Sequence, residues 1–194
     1  MTIIAVTGAT GKLGRATLQF LLARGVAAET VRPIVRDLAK AHDLVDRKFD
    51  VAYGNYTDAA LLEAAFGGID KLLFISTSAL GEERMLQHRN VVNAAKGAGV
   101  KHIIYTSVIK PAADAFFAAS PGHFHTEALI REAGIPYTFF RNNLYLDIVP
   151  FLFGPALATG TLTHSGGNGR IGFVAREDIA EALARVLTSD AHVN

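Results

Sequence analysis

Three glycines near the N-terminus constrain this chain more than any other feature. Gly8-Ala9-Thr10-Gly11-Lys12-Leu13-Gly14 directly follows a short β-branched run, Thr2–Val6, and opens a segment, Leu13–Arg24, with leucines at helical spacing. Glycine permits a tight turn and lets backbone N–H groups approach a phosphate closely, and the helix that follows adds the positive end of its dipole. Strand, glycine loop and helix in that order are the context a dinucleotide-binding fingerprint requires. The spacing is Gly-x-x-Gly-x-x-Gly, and no Gly-Lys-Ser/Thr follows, so the loop is not of the Walker type.

The rest of the chain repeats this alternation. Apolar runs at Val31–Val35, Val51–Tyr53, Lys71–Ser76, His102–Thr106 and Pro136–Phe140 are separated by helical patterns at Ala59–Phe66, Glu82–Ala98 and Phe124–Ala133, and Arg176–Leu187 is a last helix. Continuous apolar strands between amphipathic helices predict an α/β fold, a doubly wound parallel sheet with helices on both faces. The 194 residues suit a single dinucleotide-binding domain, 1–194. Phe140–Gly169 is rich in Gly, Pro and Asn and reads as a loop and short helix; 141–170 is expected to form part of a substrate-side region.

Composition excludes several classes. Lys+Arg number 19 against 18 Asp+Glu, a net charge of +1, so no global field draws the chain to nucleic acid or to an anionic membrane. The absence of cysteine excludes disulfide scaffolds, thiol catalysis and Cys-ligated metals, and no His-Glu-x-x-His motif offers a zinc site. No targeting segment is visible, and Ile148–Gly169, free of acidic and basic residues, is broken by Pro150, Gly154, Pro155 and Gly160, unlike a membrane span. The expectation is a cytoplasmic protein without bound metal.

Candidate site residues fall at the carboxyl ends of the expected strands, where ligands of such sheets lie. Gly8, Thr10, Gly11, Lys12, Leu13 and Gly14 form the phosphate loop. After the second strand, Val35-Arg36-Asp37 places a cation where a ribose 2′-phosphate would sit, which favours NADP(H) over NAD(H), although Asp37 keeps NAD open. Asn55-Tyr56-Thr57-Asp58 follows the third strand and is expected beside the adenine, with Thr57 or Asp58 alternatively capping the helix at Ala59. Ser76, Thr77 and Ser78 end the fourth strand with hydroxyls that can line the cofactor.

The five tyrosines, Tyr53, Tyr56, Tyr105, Tyr137 and Tyr145, are followed four residues later by Thr57, Ala60, Ile109, Arg141 and Val149. No Tyr-x-x-x-Lys acid–base pair exists for ordinary carbonyl reduction. His123, at the start of the fourth expected helix, is the candidate to approach a nicotinamide ribose or acceptor oxygen; His125 and Glu127 are weaker candidates. Asn142 and Tyr145 follow the sixth strand and complete the expected catalytic set, with Phe151, Leu152 and Phe153 as walls of an apolar pocket.

Together these segments resemble a known family. Thr7–Gly14, Val35-Arg36-Asp37, the helix Gln87-His88-Arg89-Asn90-Val91-Val92-Asn93-Ala94-Ala95, Val100–Ser107, His123 with Thr126-Glu127, and Ile135–Thr138 with Arg141-Asn142 are similar to the NmrA-like atypical short-chain dehydrogenase/reductases. The likeness is strongest to the branch of type 2 NAD(P)H:quinone oxidoreductases and triphenylmethane reductases. It implies a Rossmann-like sheet, NADP(H) binding, and hydride transfer to a flat conjugated acceptor such as a quinone. It also implies that His123 stands in place of the usual lysine. Relatives carry lysine just after Thr-Glu where this chain has Ala128, so that residue's role is not carried over. The alternative reading is a non-catalytic NADP-binding sensor that regulates a partner protein. Relatives continue beyond Ala191-His192-Val193-Asn194, so the cofactor half is expected nearly whole and the acceptor half in part. A second copy in a homodimer would be another way to cover the exposed edge.

Overall fold

The computed structural model of the chain describes residues 1–164 and 166–194. In chain order they form β1 (Ile4–Val6), α1 (Lys12–Ala23), β2 (Val31–Val35), α2 (His42–Asp46), β3 (Ala52–Tyr53), α3 (Ala59–Ala65), β4 (Lys71–Phe74), α4 (Gly81–Gly97), β5 (His102–Val108), α5 (Ser120–Ala133) and β6 (Tyr137–Asn142). Then follow β7 (Leu144–Tyr145), α6 (Val149–Thr159), β8 (Phe173–Val174) and α7 (Arg176–Leu187). The main sheet is parallel, with order β3-β2-β1-β4-β5-β6. This is the Rossmann-like, doubly wound architecture that the alternation predicts, and the order reverses between β1 and β4.

Because successive side chains point to opposite faces, each central strand feeds two cores. Ile4, Val6, Leu73 and Ile104 pack with Leu13, Leu18 and Leu21 of α1 and with Ile179, Leu183 and Leu187 of α7. Ala5, Leu72, Phe74, Ile103 and Tyr105 point the other way, onto Leu62 of α3, Val91 and Ala95 of α4, and Ile130 of α5. Burial on both faces is why these strands read as continuous apolar runs.

Helix α2 and the short strands β7 and β8 were not expected, and two expected regions take another form. β4 ends at Phe74 rather than Ser76. Beyond it the Ile75 N–H donates to Thr7 Oγ1 (2.9 Å) and the Ser76 N–H to Thr106 Oγ1 (2.9 Å), so side-chain hydroxyls replace the ladder and release the chain into a loop. The Gly- and Pro-rich stretch contains an 11-residue helix, α6, that starts at Val149, has Pro150 in its first turn and carries Pro155 inside. Its apolar residues are not buried: Phe151 and Leu157 are each 86% exposed. Phe151, Leu152 and Phe153 therefore do not wall a closed pocket among the described residues. No helix among those residues is long and apolar enough to cross a membrane.

Leu18 is fully buried between α1, α7 and the sheet. Leu18→Ala should cost about 2–5 kcal/mol. It would appear as a lower urea midpoint with an unchanged slope.

Candidate functional site: a cationic nucleotide groove

The loop between β1 and α1 is shaped by two glycines. Gly8 has φ +59°, a left-handed conformation that its missing Cβ permits, and its carbonyl accepts from the Gly11 N–H at 2.9 Å. At Gly14 a Cβ would lie 2.4 Å from Gly8 O and 2.7 Å from Ala9 Cα, so helix backbone meets loop backbone there. Helix α1 starts on Gly11 without a side-chain cap and without an acidic residue in its first turn. Its first N–H groups stay available to an anion.

A groove of about 520 Å3 opens above this loop, along the carboxyl ends of β1, β2, β3 and β4. Gly8, Thr10, Gly11, Lys12, Leu13 and Gly14 line it with Arg36, Ser76, Thr77 and Ser78, so most of the expected cofactor residues converge. Asn55 and Tyr56 of the loop expected beside the adenine line it, and so do Lys40, Gln87 and Arg176, to which sequence reasoning assigned no such role. Among the described lining residues the ionisable groups at neutral pH are Lys12, Arg36, Lys40 and Arg176, and none is a carboxylate.

The neighbouring acids stand behind the lining and pair with three of its cations: Asp37 Oδ2 lies 3.5 Å from Lys40 Nζ, and Asp147 meets Lys12 and Arg176. Asp37 Oδ1 accepts from the Ala39 N–H at 3.0 Å and caps a short 3-10 turn, so its side chain is not part of the groove. Asp147 accepts from both Arg176 and Lys12, at 2.9 and 3.0 Å, and the Arg176 guanidinium holds its carboxyl below the usual range. These pairs bound an adjoining cleft of about 640 Å3 between α1, Asp147 and the start of α7. Arg176 also lies over the Tyr145 ring, 3.9 Å from its centroid. It was illegible from sequence because only the parallel β7–β8 pair brings residues 144–147 beside residue 176. Tyr56 is tied to the centre of the sheet: its hydroxyl donates to Ile75 O at 2.7 Å and meets Thr7 Oγ1 at 2.6 Å. Burial raises its pKa well above that of free tyrosine.

Four expected site residues lie outside the groove. Asp58 caps α3, its carboxylate accepting from the Leu61 N–H at 3.0 Å, which is the structural option for that residue. Asn142 is half-buried beyond the groove's end, its amide 3.4 Å from the Tyr145 hydroxyl, and Tyr145 packs against the core on the side of α1 and α7. His123 is buried, and both ring nitrogens are engaged within the protein. Arg84, which can only donate, bonds Nε2 at 2.8 Å, so the ring's proton sits on Nδ1, which donates to the Tyr105 hydroxyl at 2.8 Å. Burial, reinforced by the charge of Arg84, pushes the His123 pKa down to about 3. A neutral ring with no free nitrogen is not placed to polarise an acceptor, contrary to the role expected for it. His125 lies in a separate shallow cleft between α4 and α5.

Glu127 is buried and accepts from Ser107 (2.7 Å), Arg141 (2.7 and 3.0 Å) and Arg131 (3.0 Å). Burial alone would raise its pKa, but the bonds from Arg141, Ser107 and Arg131 outweigh it, and the carboxyl titrates below its ordinary 4.5. Its role is to fasten α5 to the ends of β5 and β6.

These features define a dinucleotide-binding α/β protein. A family model described as NAD(P)H-binding matches residues 8–190, and the chain belongs to this NAD(P)H-binding, NmrA-like family. Quinone oxidoreductase 2 of Escherichia coli strain K12 is 40% identical over 190 residues, which cover 98% of this chain and 65% of that protein. An NmrA-like family domain-containing oxidoreductase of Aspergillus flavus is 32% identical, covering 97% of this chain and 62% of its own length. The structure of Citrobacter sp. triphenylmethane reductase complexed with NADP(H) superimposes with a TM-score of 0.90 at 40% identity, over 99% of this chain and 67% of that one. The chain thus spans just under two thirds of the length of these curated relatives.

Two outcomes follow for residues outside the groove. Asp58→Ala should cost about 1 kcal/mol of stability through the lost cap and leave dinucleotide affinity unchanged, as titration calorimetry would record. A carboxylate whose pKa is depressed by folding contributes stability that is present above its unfolded pKa and lost as pH falls through the folded one. Glu127→Gln should therefore lower the melting temperature at neutral pH and reduce the further loss seen on acidification to about pH 3.

Proposed function

We propose that the groove binds NADP(H) in preference to NAD(H) and that the protein reduces a quinone-like or other flat conjugated acceptor. The observation that carries the reading is the lining of four cations, Lys12, Arg36, Lys40 and Arg176, with no carboxylate among the described lining residues. An NAD site ordinarily offers an acid to the ribose hydroxyls at the end of the second strand, whereas a 2′-phosphate needs a cation there. Arg36 supplies that cation, with Lys40 beside it; Asp37 caps its own turn through Oδ1 and pairs with Lys40 through Oδ2, 3.5 Å away. Arg15 fixes that segment to the phosphate loop by donating to Asp43 and to the Lys40 carbonyl. The pyrophosphate falls at the uncapped start of α1, near Lys12 and Arg176.

The adenosine half extends toward β2 and β3, so the nicotinamide half extends across the switch point toward Ser76, Thr77 and Ser78. Bound there, NADPH supplies a hydride. The chain's own contribution is to bind, orient and shield. No Tyr-x-x-x-Lys pair is present, and His123 is locked in a buried network. An acceptor that needs no acid from the protein suits such a site, because a reduced quinone takes its proton from water. The two relatives named for reduction of quinones and triphenylmethane dyes support this acceptor class. The region 141–170 is the acceptor side of the single domain in this reading.

Mixing the protein with NADPH and a benzoquinone and following NADPH absorbance tests the reductase reading. Oxidation well above the uncatalysed rate is expected. No turnover with intact NADPH binding would refute it in favour of a sensor. Arg36→Ala should weaken NADPH about 10- to 150-fold while changing NADH little. Equal loss of both would refute the 2′-phosphate assignment.

A further inference from the structure

Behind the nicotinamide side of the groove lies a buried cation without an acidic partner. Arg84, on α4, is 3% exposed, and no carboxylate pairs with it among the described residues. Its guanidinium donates to Thr77 O (2.8 Å), Ala79 O (3.1 Å) and His123 Nε2 (2.8 Å), and its Nε is buried without a partner. It crosses α5 at Gly122, where a Cβ would lie 2.5 Å from Arg84 Cδ. Glu127, the buried acid on α5, is taken by Arg131 and Arg141.

The two imidazoles beside it provide no counter-charge. His123 is neutral with its proton on Nδ1. His88 is fully buried and accepts from the Thr77 N–H on Nε2 at 3.1 Å, so its own proton is on Nδ1 and is given to Thr126 Oγ1 at 2.7 Å. Thr126 passes its hydroxyl proton to Gly122 O at 2.7 Å. Burial and the Arg84 charge push His88 down to about 2, so the ring stays neutral across the working pH range. Removing a charge from water is expensive unless it is paired, and this one is compensated only by dipoles. Thr77, whose carbonyl it holds, lines the groove, so the charge sits one peptide behind the groove wall.

We propose that Arg84 sets the redox preference of the site, its buried positive charge favouring the neutral reduced nicotinamide ring over the cationic oxidised one. The inference rests on the assignment of the groove to NADP(H). The two dinucleotides carry the same phosphates and differ at the ring by one positive charge. The surface cations at the phosphates act on both forms alike, whereas a charge behind Thr77 acts on the difference. The site then binds NADPH more tightly than NADP⁺, which promotes reduction of an acceptor and release of the spent cofactor.

The test is calorimetric titration of the full chain with NADPH and with NADP⁺, with melting curves to confirm that each variant folds. The wild type should favour NADPH. Arg84→Gln should narrow that preference about fivefold or more, whereas Arg84→Lys, which keeps the charge, should retain most of it. An unchanged ratio in Arg84→Gln would overturn the proposal. If that variant does not fold, the wild type still decides. A buried charge is poorly screened, so both affinities should fall with salt while their ratio holds. A ratio that decays to one at high salt, or that starts at or below one, would also overturn it. Failure of the wild type to bind either dinucleotide would refute the groove assignment itself, and the inference with it.

Discussion

Backbone touches backbone where α1 leaves β1, and the rest of the site depends on that contact. With no Cβ at Gly14, the helix settles onto Gly8 O and Ala9 Cα, at distances that any side chain would forbid. The contact brings α1 to the carboxyl edge of the sheet with its first N–H groups unclaimed. It also aligns Leu13, Leu18 and Leu21 with the core that α7 completes. The same closeness that makes the anion site thus anchors one whole face of the sheet.

A second level of organisation lies on the opposite face. Arg84, His88, Tyr105, His123 and Thr126 form a buried polar cluster between α4, α5 and the end of β5. The tautomers of His88 and His123 are dictated by neighbours that can only donate, the Thr77 N–H and the Arg84 guanidinium. The cluster does not enter the groove; it holds the backbone of Thr77 and Ala79 from behind. Hydrogen bonds in such low-dielectric surroundings are strong when made and costly when broken. The loop between β4 and α4 is consequently a fixed wall, although it carries no regular secondary structure.

Much of the fold is legible in the sequence. Parallel strands buried on both faces leave apolar runs, and the helices between them keep helical spacing, so their positions were recovered to within a few residues. The end of β4 was not, because its last rungs are made by the hydroxyls of Thr7 and Thr106, which lie far away in sequence. Helix α6 was read as largely irregular because its prolines and glycines oppose helix formation by local propensity. Asp58 and Asp37 illustrate a common ambiguity: an acid after a strand can read a ribose or cap the next turn, and here both cap.

What the sequence alone determined is the glycine loop between a strand and a helix, the alternation that makes a doubly wound sheet, and the arginine after β2. These are local patterns, written in consecutive residues. Only the tertiary structure decided which side chains meet. The order β3-β2-β1-β4-β5-β6 gathers Arg36, Lys40 and Lys12 around one groove, and the β7–β8 pair adds Arg176. The same packing withdraws His123 into the interior and leaves Arg84 charged and unpaired behind Thr77. Such facts depend on contacts between residues tens of positions apart, and no local preference of the chain encodes them.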